Sequence, residues 1–147
     1  ERISSSSIRS ALAAGQMARV RAMLGRPYFL HGRVLRGEQL GRTLGYPTAN
    51  LRPPLPPAAR GIFAARVDGP GLRRHPAVVS LGLRPTVAGK NWLLEVHLFD
   101  YDGNLYGQHL RVELIERLRE EEKFDTLEAM RLQMDEDAAQ ARRILDS

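Results

Sequence analysis

The rhythm of apolar and polar positions changes twice along this chain of 147 residues. After the serine run Ser4 to Ser7, apolar residues at Ala11, Leu12, Met17, Val20 and Leu24 predict a serine-capped helix and a second short helical turn, broken at Gly25-Arg26-Pro27. From Tyr28 onward the helical spacing gives way to short runs rich in Val, Ile, Leu and Phe between Gly, Pro and Asn clusters. These predict strands from Tyr28 to Leu35, Gly61 to Val67, Ala77 to Leu83, Trp92 to Phe99 and His109 to Leu118, with a sixth short strand after Pro47. Helical spacing returns at the end: Leu127, Met130, Met134, Ala138, Ala141 and Leu145 recur three and four apart, with Asp125 and Glu128 placed as a capping box. That stripe is expected to lie on the strands.

Within the last strand, Leu110, Val112 and Leu114 alternate with Arg111 and Glu113, the pattern of a strand with one face in a core. The turn-forming run Asp100 to Asn104 predicts that the Trp92 and His109 strands pair as an antiparallel hairpin. No helix of useful length separates any two strands, which disfavours a parallel βαβ sheet and favours a closed antiparallel barrel.

Composition narrows the picture. The length suits one compact domain with a short appendage. With no cysteine there is neither a disulfide framework nor a thiolate metal site, and the chain suits a reducing cytoplasm. No apolar run is long enough to span a bilayer as a helix, so no membrane partner is expected. The formal charge of +5 raises nucleic acid as a partner, yet the cations are almost all arginines scattered from Arg2 to Arg143, without interleaved aromatics. A basic solvated surface, compatible with a polyphosphate substrate, is the better reading, and no nucleic acid is expected.

The stretch from Arg36 to Asn50 combines three glycines, Arg42, Thr48 and Asn50. Glycines let backbone N–H groups approach phosphate, Arg42 supplies positive charge, and the Thr48 and Asn50 oxygens suit a hard cation. Spacing alone favours a plain glycine-rich loop before a turn, since Gly-rich loops are common and the GxxxxGK[ST] pattern is absent. Four histidines, His31, His75, His97 and His109, lack metal-ligand spacing, and Trp92 reads as a core residue.

Leu44-Gly-Tyr-Pro-Thr-Ala-Asn-Leu51 resembles the PTAN motif of riboflavin kinases, including the C-terminal half of bacterial bifunctional FAD synthetases. The similarity continues in family order through Gly61-Ile-Phe-Ala64, Ser80-Leu-Gly-Leu-Arg-Pro-Thr86, Glu95-Val-His-Leu-Phe-Asp100, Leu105-Tyr-Gly107, Leu118-Arg119 and Glu122-Lys-Phe-Asp125. Leu83 stands where a polar residue is commoner, and Arg42 where lysine is frequent. Ile3 to Arg9 resembles the ISSTxIR motif closing the adenylyltransferase half of the same bifunctional enzymes, with Ser6 in place of threonine.

The resemblance implies a mainly β fold: a six-stranded antiparallel Greek-key barrel with a C-terminal α-helix and a short N-terminal helical remnant. It divides the chain into residues 1–25, the end of an adenylyltransferase domain with its linker, and residues 26–147, the kinase barrel. The implied reaction moves the γ-phosphate of ATP to the 5′-hydroxyl of riboflavin, giving FMN and ADP, with an adenylyltransferase domain in the full-length parent. Carried over residue by residue, Glu95 is the catalytic base, and Thr48 and Asn50 hold Mg²⁺. Gly37, Arg42, Leu98, Asp100 and Tyr106 contact ATP, and Arg119, Glu122 and Phe124 contact the flavin. Alternation alone makes Glu95 a surface carboxylate, Asp100 a turn residue, and Arg119 and Glu122 part of a solvated charge run. Two other readings remain at this point: a flavin-binding regulatory barrel without turnover, and a basic barrel that binds nucleic acid.

Overall fold

The computed structural model describes residues 4–36, 45–53, 56–87 and 89–146. Two helices open the chain, α1 (Ser5–Ala13) and α2 (Met17–Leu24). Ser4 caps α1, its side chain accepting a hydrogen bond from the Ser7 amide, and Gly25 ends α2 in the left-handed conformation at φ 71°. Six strands follow: β1 (Phe29–Leu35), β2 (Ala49–Leu51), β3 (Gly61–Gly69), β4 (Leu72–Thr86), β5 (Gly89–Leu98) and β6 (His109–Arg119). The chain ends in α3 (Leu127–Leu145).

The strands close into a barrel in the order β1-β2-β5-β4-β3-β6, every pairing antiparallel. β3, β4 and β5 form a meander, β2 returns beside β5, and β6 returns beside β3, so the barrel contains two overlapping Greek keys. Gly69-Pro70-Gly71-Leu72 makes the β3–β4 turn, with proline at its second position and Gly71 at φ 74° in the third, the chemistry of a type II turn.

Inside the barrel, alternate residues meet: Phe63, Ala65 and Val67 from β3, Ala77, Val79 and Leu81 from β4, Leu94 and Val96 from β5, and Leu110, Val112 and Leu114 from β6. Ala11, Leu12, Met17 and Val20 of the N-terminal helices join the same buried cluster, and Trp92 lies half-buried against it. A second, smaller core forms outside the barrel, where Ala138, Ala141 and Leu145 of α3 cover Ala64 and Phe99. Burying apolar surface on both sides of the β3–β4 wall fixes α3 against the barrel, which matters below because the helix roofs a cleft.

Three local expectations need correction. β5 and β6 do not pair: both edges of each are taken, β5 by β2 and β4, β6 by β1 and β3. The connection between them carries positive φ at Asp100 (52°) and Gly107 (81°) and spans the barrel instead of turning back on itself. Thr126, not Asp125, caps α3: its hydroxyl accepts from the Ala129 amide at 3.0 Å, leaving Glu128 in the first turn beside the positive end of the helix. Finally, Leu127 is 53% exposed, because the first turn of α3 extends past the apolar contact that its later turns make.

Candidate functional site

The barrel register sets out one line of side chains. Leu35 on β1 faces Asn50 on β2, Asn50 faces Glu95 on β5, Glu95 faces Ser80 on β4, Ser80 faces Ile62 on β3, and Ile62 faces Arg119 on β6. Directly opposed residues of antiparallel strands point to the same side of the sheet, with Cβ atoms roughly 4.5–5.5 Å apart. All six line the same cleft of about 820 Å³ on the outer wall of the barrel, roofed by Glu121, Glu122 and Phe124 from the segment before α3 and by Met130, Met134 and Asp137 from α3 itself.

Asn50 is buried, and its Oδ1 is a buried acceptor without a partner among the described residues. Burying an unsatisfied carbonyl oxygen costs free energy, so this atom fits a cation or a donor brought by a ligand. Thr48, one turn of the strand pleat away, lines the same cleft.

Glu95 is engaged on one oxygen. Arg84 Nη2 donates to Glu95 Oε1 at 2.9 Å and to Ser80 Oγ at 3.1 Å, and it forms an ion pair with Glu121 Oε2 at 2.6 Å. Burial alone would pull the Arg84 guanidinium down, but the hydrogen bonds and charges of Glu121 and Glu95 more than reverse this and raise it above its ordinary value.

At the other end of the rung, Arg119 is locked in a two-pronged pair with Asp137: Nε to Oδ1 at 2.9 Å and Nη2 to Oδ2 at 2.8 Å. Gln133 donates to the same carboxylate at 3.0 Å, and the guanidinium carbon lies 5.8 Å from the centre of the Phe124 ring.

Tyr46, just before the Pro47-Thr48 step, fastens this wall to the roof. Its hydroxyl donates to Asp135 of α3 and stacks edge-on with His97, ring centres 5.0 Å apart. Burial and the Asp135 carboxylate push the phenol up to about 12, so it stays a donor. His97 Nδ1 donates to the Pro47 carbonyl at 2.9 Å, and burial lowers the imidazole despite that bond.

A second cleft of about 790 Å³ adjoins the first and shares Leu35, Arg36 and Thr48 with it. Leu98 forms part of its floor, and Tyr101 to Tyr106 form one side. Arg36 stands between the two clefts with its guanidinium 4.6 Å from the centre of the Tyr106 ring. The structure therefore gathers Thr48, Asn50, Glu95, Arg119, Glu122 and Phe124 in one cleft, and Thr48, Leu98 and Tyr106 in its neighbour. Asp100 lines neither: its exposed carboxylate pairs with Arg142 of α3 at 3.1 Å, which holds it below the usual carboxylate range. Gly37 and Arg42 lie outside the described residues.

Sequence reading passed over Arg36 and Arg84. Arg84 stood in a motif block without a role, although strand alternation from Ser80 through Gly82 places it on the cleft side of β4.

Residues 24–145 match the flavokinase family, described as riboflavin kinase. The bifunctional riboflavin kinase/FMN adenylyltransferase of Escherichia coli (strain K12) is 43% identical over 143 residues, 96% of this chain and 45% of that protein. The protein of the same description from Haemophilus influenzae is 40% identical over 152 residues, covering 100% of this chain and 48% of its own length. The chain thus spans about half the length of the curated relatives it matches.

Among solved structures, one described as a macrolide-efflux protein from Streptococcus pneumoniae superposes with a TM-score of 0.86 at 32% identity, over 96% of this chain and 47% of that one. Riboflavin kinase from Trypanosoma brucei shares the fold with a TM-score of 0.58 at 22% identity, over 82% of this chain and 81% of its own. A family match over residues 24–145 and relatives of this identity along nearly the whole sequence lead to one conclusion: the chain belongs to the riboflavin kinase family.

Proposed function

We propose that this domain transfers the γ-phosphate of ATP to the 5′-hydroxyl of riboflavin, giving FMN and ADP. The observation that carries the reading is the rung Asn50–Glu95–Ser80–Ile62–Arg119, which sets a neutral oxygen ligand, a carboxylate base and a cation in one row along one cleft. The flavin belongs at the Arg119 end, where Phe124 offers an aromatic face and Glu122 a hydrogen-bond acceptor. The triphosphate belongs at the Thr48 end, reaching the neighbouring cleft, where Leu98 and Tyr106 hold the nucleoside and the stretch bearing Gly37 and Arg42 contributes to phosphate binding.

At the junction, Glu95 accepts the proton of the 5′-hydroxyl as that oxygen attacks the γ-phosphorus and the bond to the ADP oxygen breaks. Thr48 and Asn50 are the residues that would hold Mg²⁺, an assignment the unpaired buried Oδ1 of Asn50 supports; when bound, the ion neutralises phosphate charge. Asp100 fits the ATP role only by first releasing Arg142. Positioning supplies most of the rate, since phosphoryl transfer asks little covalent chemistry of the protein.

Residues 1–25 are read as the end of an adenylyltransferase module leading into the kinase barrel of residues 26–147, in a parent of the bifunctional kind and cytoplasmic location. Among the described residues no helix is long and apolar enough to cross a membrane. Incubating the chain with riboflavin, ATP and Mg²⁺ and separating the products tests the reading: equal amounts of FMN and ADP are expected. Riboflavin binding without any FMN would favour a regulatory flavin barrel instead.

A further inference from the structure

Arg84 meets an imbalance at the centre of the cleft. Its Nη2 carries two N–H donors and faces three oxygen acceptors, Ser80 Oγ, Glu95 Oε1 and Glu121 Oε2, while Nη1 is turned to its own strand and donates to the Leu83 carbonyl at 3.0 Å. The side chains of Arg84, Glu95 and Glu121 are all two-thirds or more buried, so these contacts are partly screened from bulk water. Glu95 Oε2 accepts no hydrogen bond among the described residues, which leaves one oxygen of that carboxylate held and the other uncommitted.

Glu121 is held as tightly as Glu95. It belongs to the segment that carries Glu122 and Phe124 into the cleft, and its carboxylate lies over Gly82: a Cβ built there would fall 1.8 Å from Glu121 Oε1. Gly82 has no positive φ, so the lack of a side chain here serves to leave space for the Glu121 carboxylate, which a Cβ would push aside, and not to permit a special backbone conformation. The chain has thus cleared room on β4 for a second carboxylate to reach the same guanidinium.

We propose that Arg84 is a positioning residue for the phosphoryl transfer: anchored by Glu121, it fixes Oε1 of Glu95 so that Oε2 is presented to the substrate hydroxyl, and it ties the alignment of the base to the seating of the 120–124 segment over the flavin. This rests on Glu95 being the base. A base displaced by about 1 Å can cost on the order of a hundredfold in rate while substrate still binds. The contacts of Arg84 come from β4, β5 and the segment before α3, so the residue reports the position of the flavin-side roof to the reacting end of the cleft.

The test is a double-mutant cycle on FMN formation with the whole chain, using wild type, Arg84→Met, Glu95→Gln and the double variant, each checked by thermal melting. Arg84→Met is expected to lower kcat by roughly ten- to a hundredfold with riboflavin KM changed less than about threefold, and to have almost no further effect once Glu95 is Gln. Arg84→Lys should restore part of kcat, because the ammonium keeps a positive charge beside Glu95 and Glu121 but lacks the planar fork whose other nitrogen is held by the Leu83 carbonyl. Gly82→Ala, which leaves Arg84 and Glu95 in place and displaces only the Glu121 carboxylate, should show a smaller kcat loss of the same kind. An equal loss from Arg84→Met in both backgrounds would overturn the proposal, as would unchanged kcat in both Arg84→Met and Gly82→Ala. Near-normal turnover by Glu95→Gln would fail the base assignment itself, a result distinguishable from either of these.

Discussion

Arg119 and Asp137 join the barrel to its C-terminal helix by two parallel hydrogen bonds, at 2.9 and 2.8 Å, with the aspartate 4% and the arginine 20% exposed at their side chains. Such a pair is weak evidence for stability as a whole, because removing two charges from water offsets most of their attraction. Breaking it from one side is another matter, since the remaining ion stays buried without its counterpart.

Asp137→Ala is therefore expected to destabilise the domain by about 3–5 kcal/mol, the usual cost of orphaning a buried charge. Urea unfolding measures it. Riboflavin affinity should fall as well, because the guanidinium loses the carboxylate that fixes it 5.8 Å from the Phe124 ring. A loss below about 1 kcal/mol would mean that water reaches the pair in the folded protein.

His97 sets a pH dependence whose sign follows from its burial. Its folded-state proton affinity is lowered from the ordinary 6.5, first by desolvation, opposed by the Pro47 carbonyl and Asp100 and aided by Arg142. Below pH 6.5 the unfolded chain takes up a proton that the folded chain resists, so stability falls as pH drops through 6.5 and levels off once the folded imidazole protonates too. Above pH 6.5 the contribution of His97 is constant. His97→Asn keeps a donor for Pro47 but does not titrate, so its melting temperature should vary less between pH 5 and 7 than that of the wild type. Parallel curves would remove His97 from the acid sensitivity of the domain.

Much of this was legible in the sequence because alternation survives wherever one strand face is buried: Leu110, Val112 and Leu114 are fully buried, and Arg111 between them is exposed. What alternation cannot carry is which strand pairs with which. The turn-like residues 100–104 suggested a β5–β6 hairpin, yet barrel closure gives those edges to β2, β4, β1 and β3, a global arrangement without a local signature. The choice between Asp125 and Thr126 as the cap was equally invisible, since both side chains can accept from an amide and only the backbone path selects one. Motifs pointed to Glu95 and Asn50, but the row that unites them with Arg119 depends on four registers at once. Arg84 remained hidden because its two carboxylate partners sit on separate elements, Glu95 on β5 and Glu121 before α3.

Glu95→Gln tests the base directly. The amide keeps the shape of the side chain and an oxygen for Arg84, while the basic carboxylate is lost, so kcat should drop by roughly a hundred- to ten-thousandfold, with riboflavin affinity and melting temperature nearly kept. Steady-state rates and flavin fluorescence titration separate the two effects. An exposed strand carboxylate could be made Gln with almost no change in either.

Asn50 offers the sharpest contrast between stability and function. It is 7% exposed, and its Oδ1 lacks a partner among the described residues, an arrangement that costs the ligand-free domain about 1–3 kcal/mol relative to a satisfied group. Asn50→Leu substitutes an apolar side chain of similar size, so it removes the desolvated oxygen without opening a large cavity. The ligand-free melting temperature should hold or rise. Turnover should move the other way, with FMN formation reduced by at least about a hundredfold and the thermal stabilisation by MgATP diminished, because a ligand that binds only the folded state stabilises it in proportion to its occupancy. Opposite signs for the two readouts are what a residue selected for binding at the expense of folding must give. If Asn50→Leu melts well below the wild type, the amide is satisfied in the folded protein and serves the fold. If it phosphorylates riboflavin at the wild-type rate, Asn50 holds neither metal nor phosphate, and the buried oxygen needs another explanation.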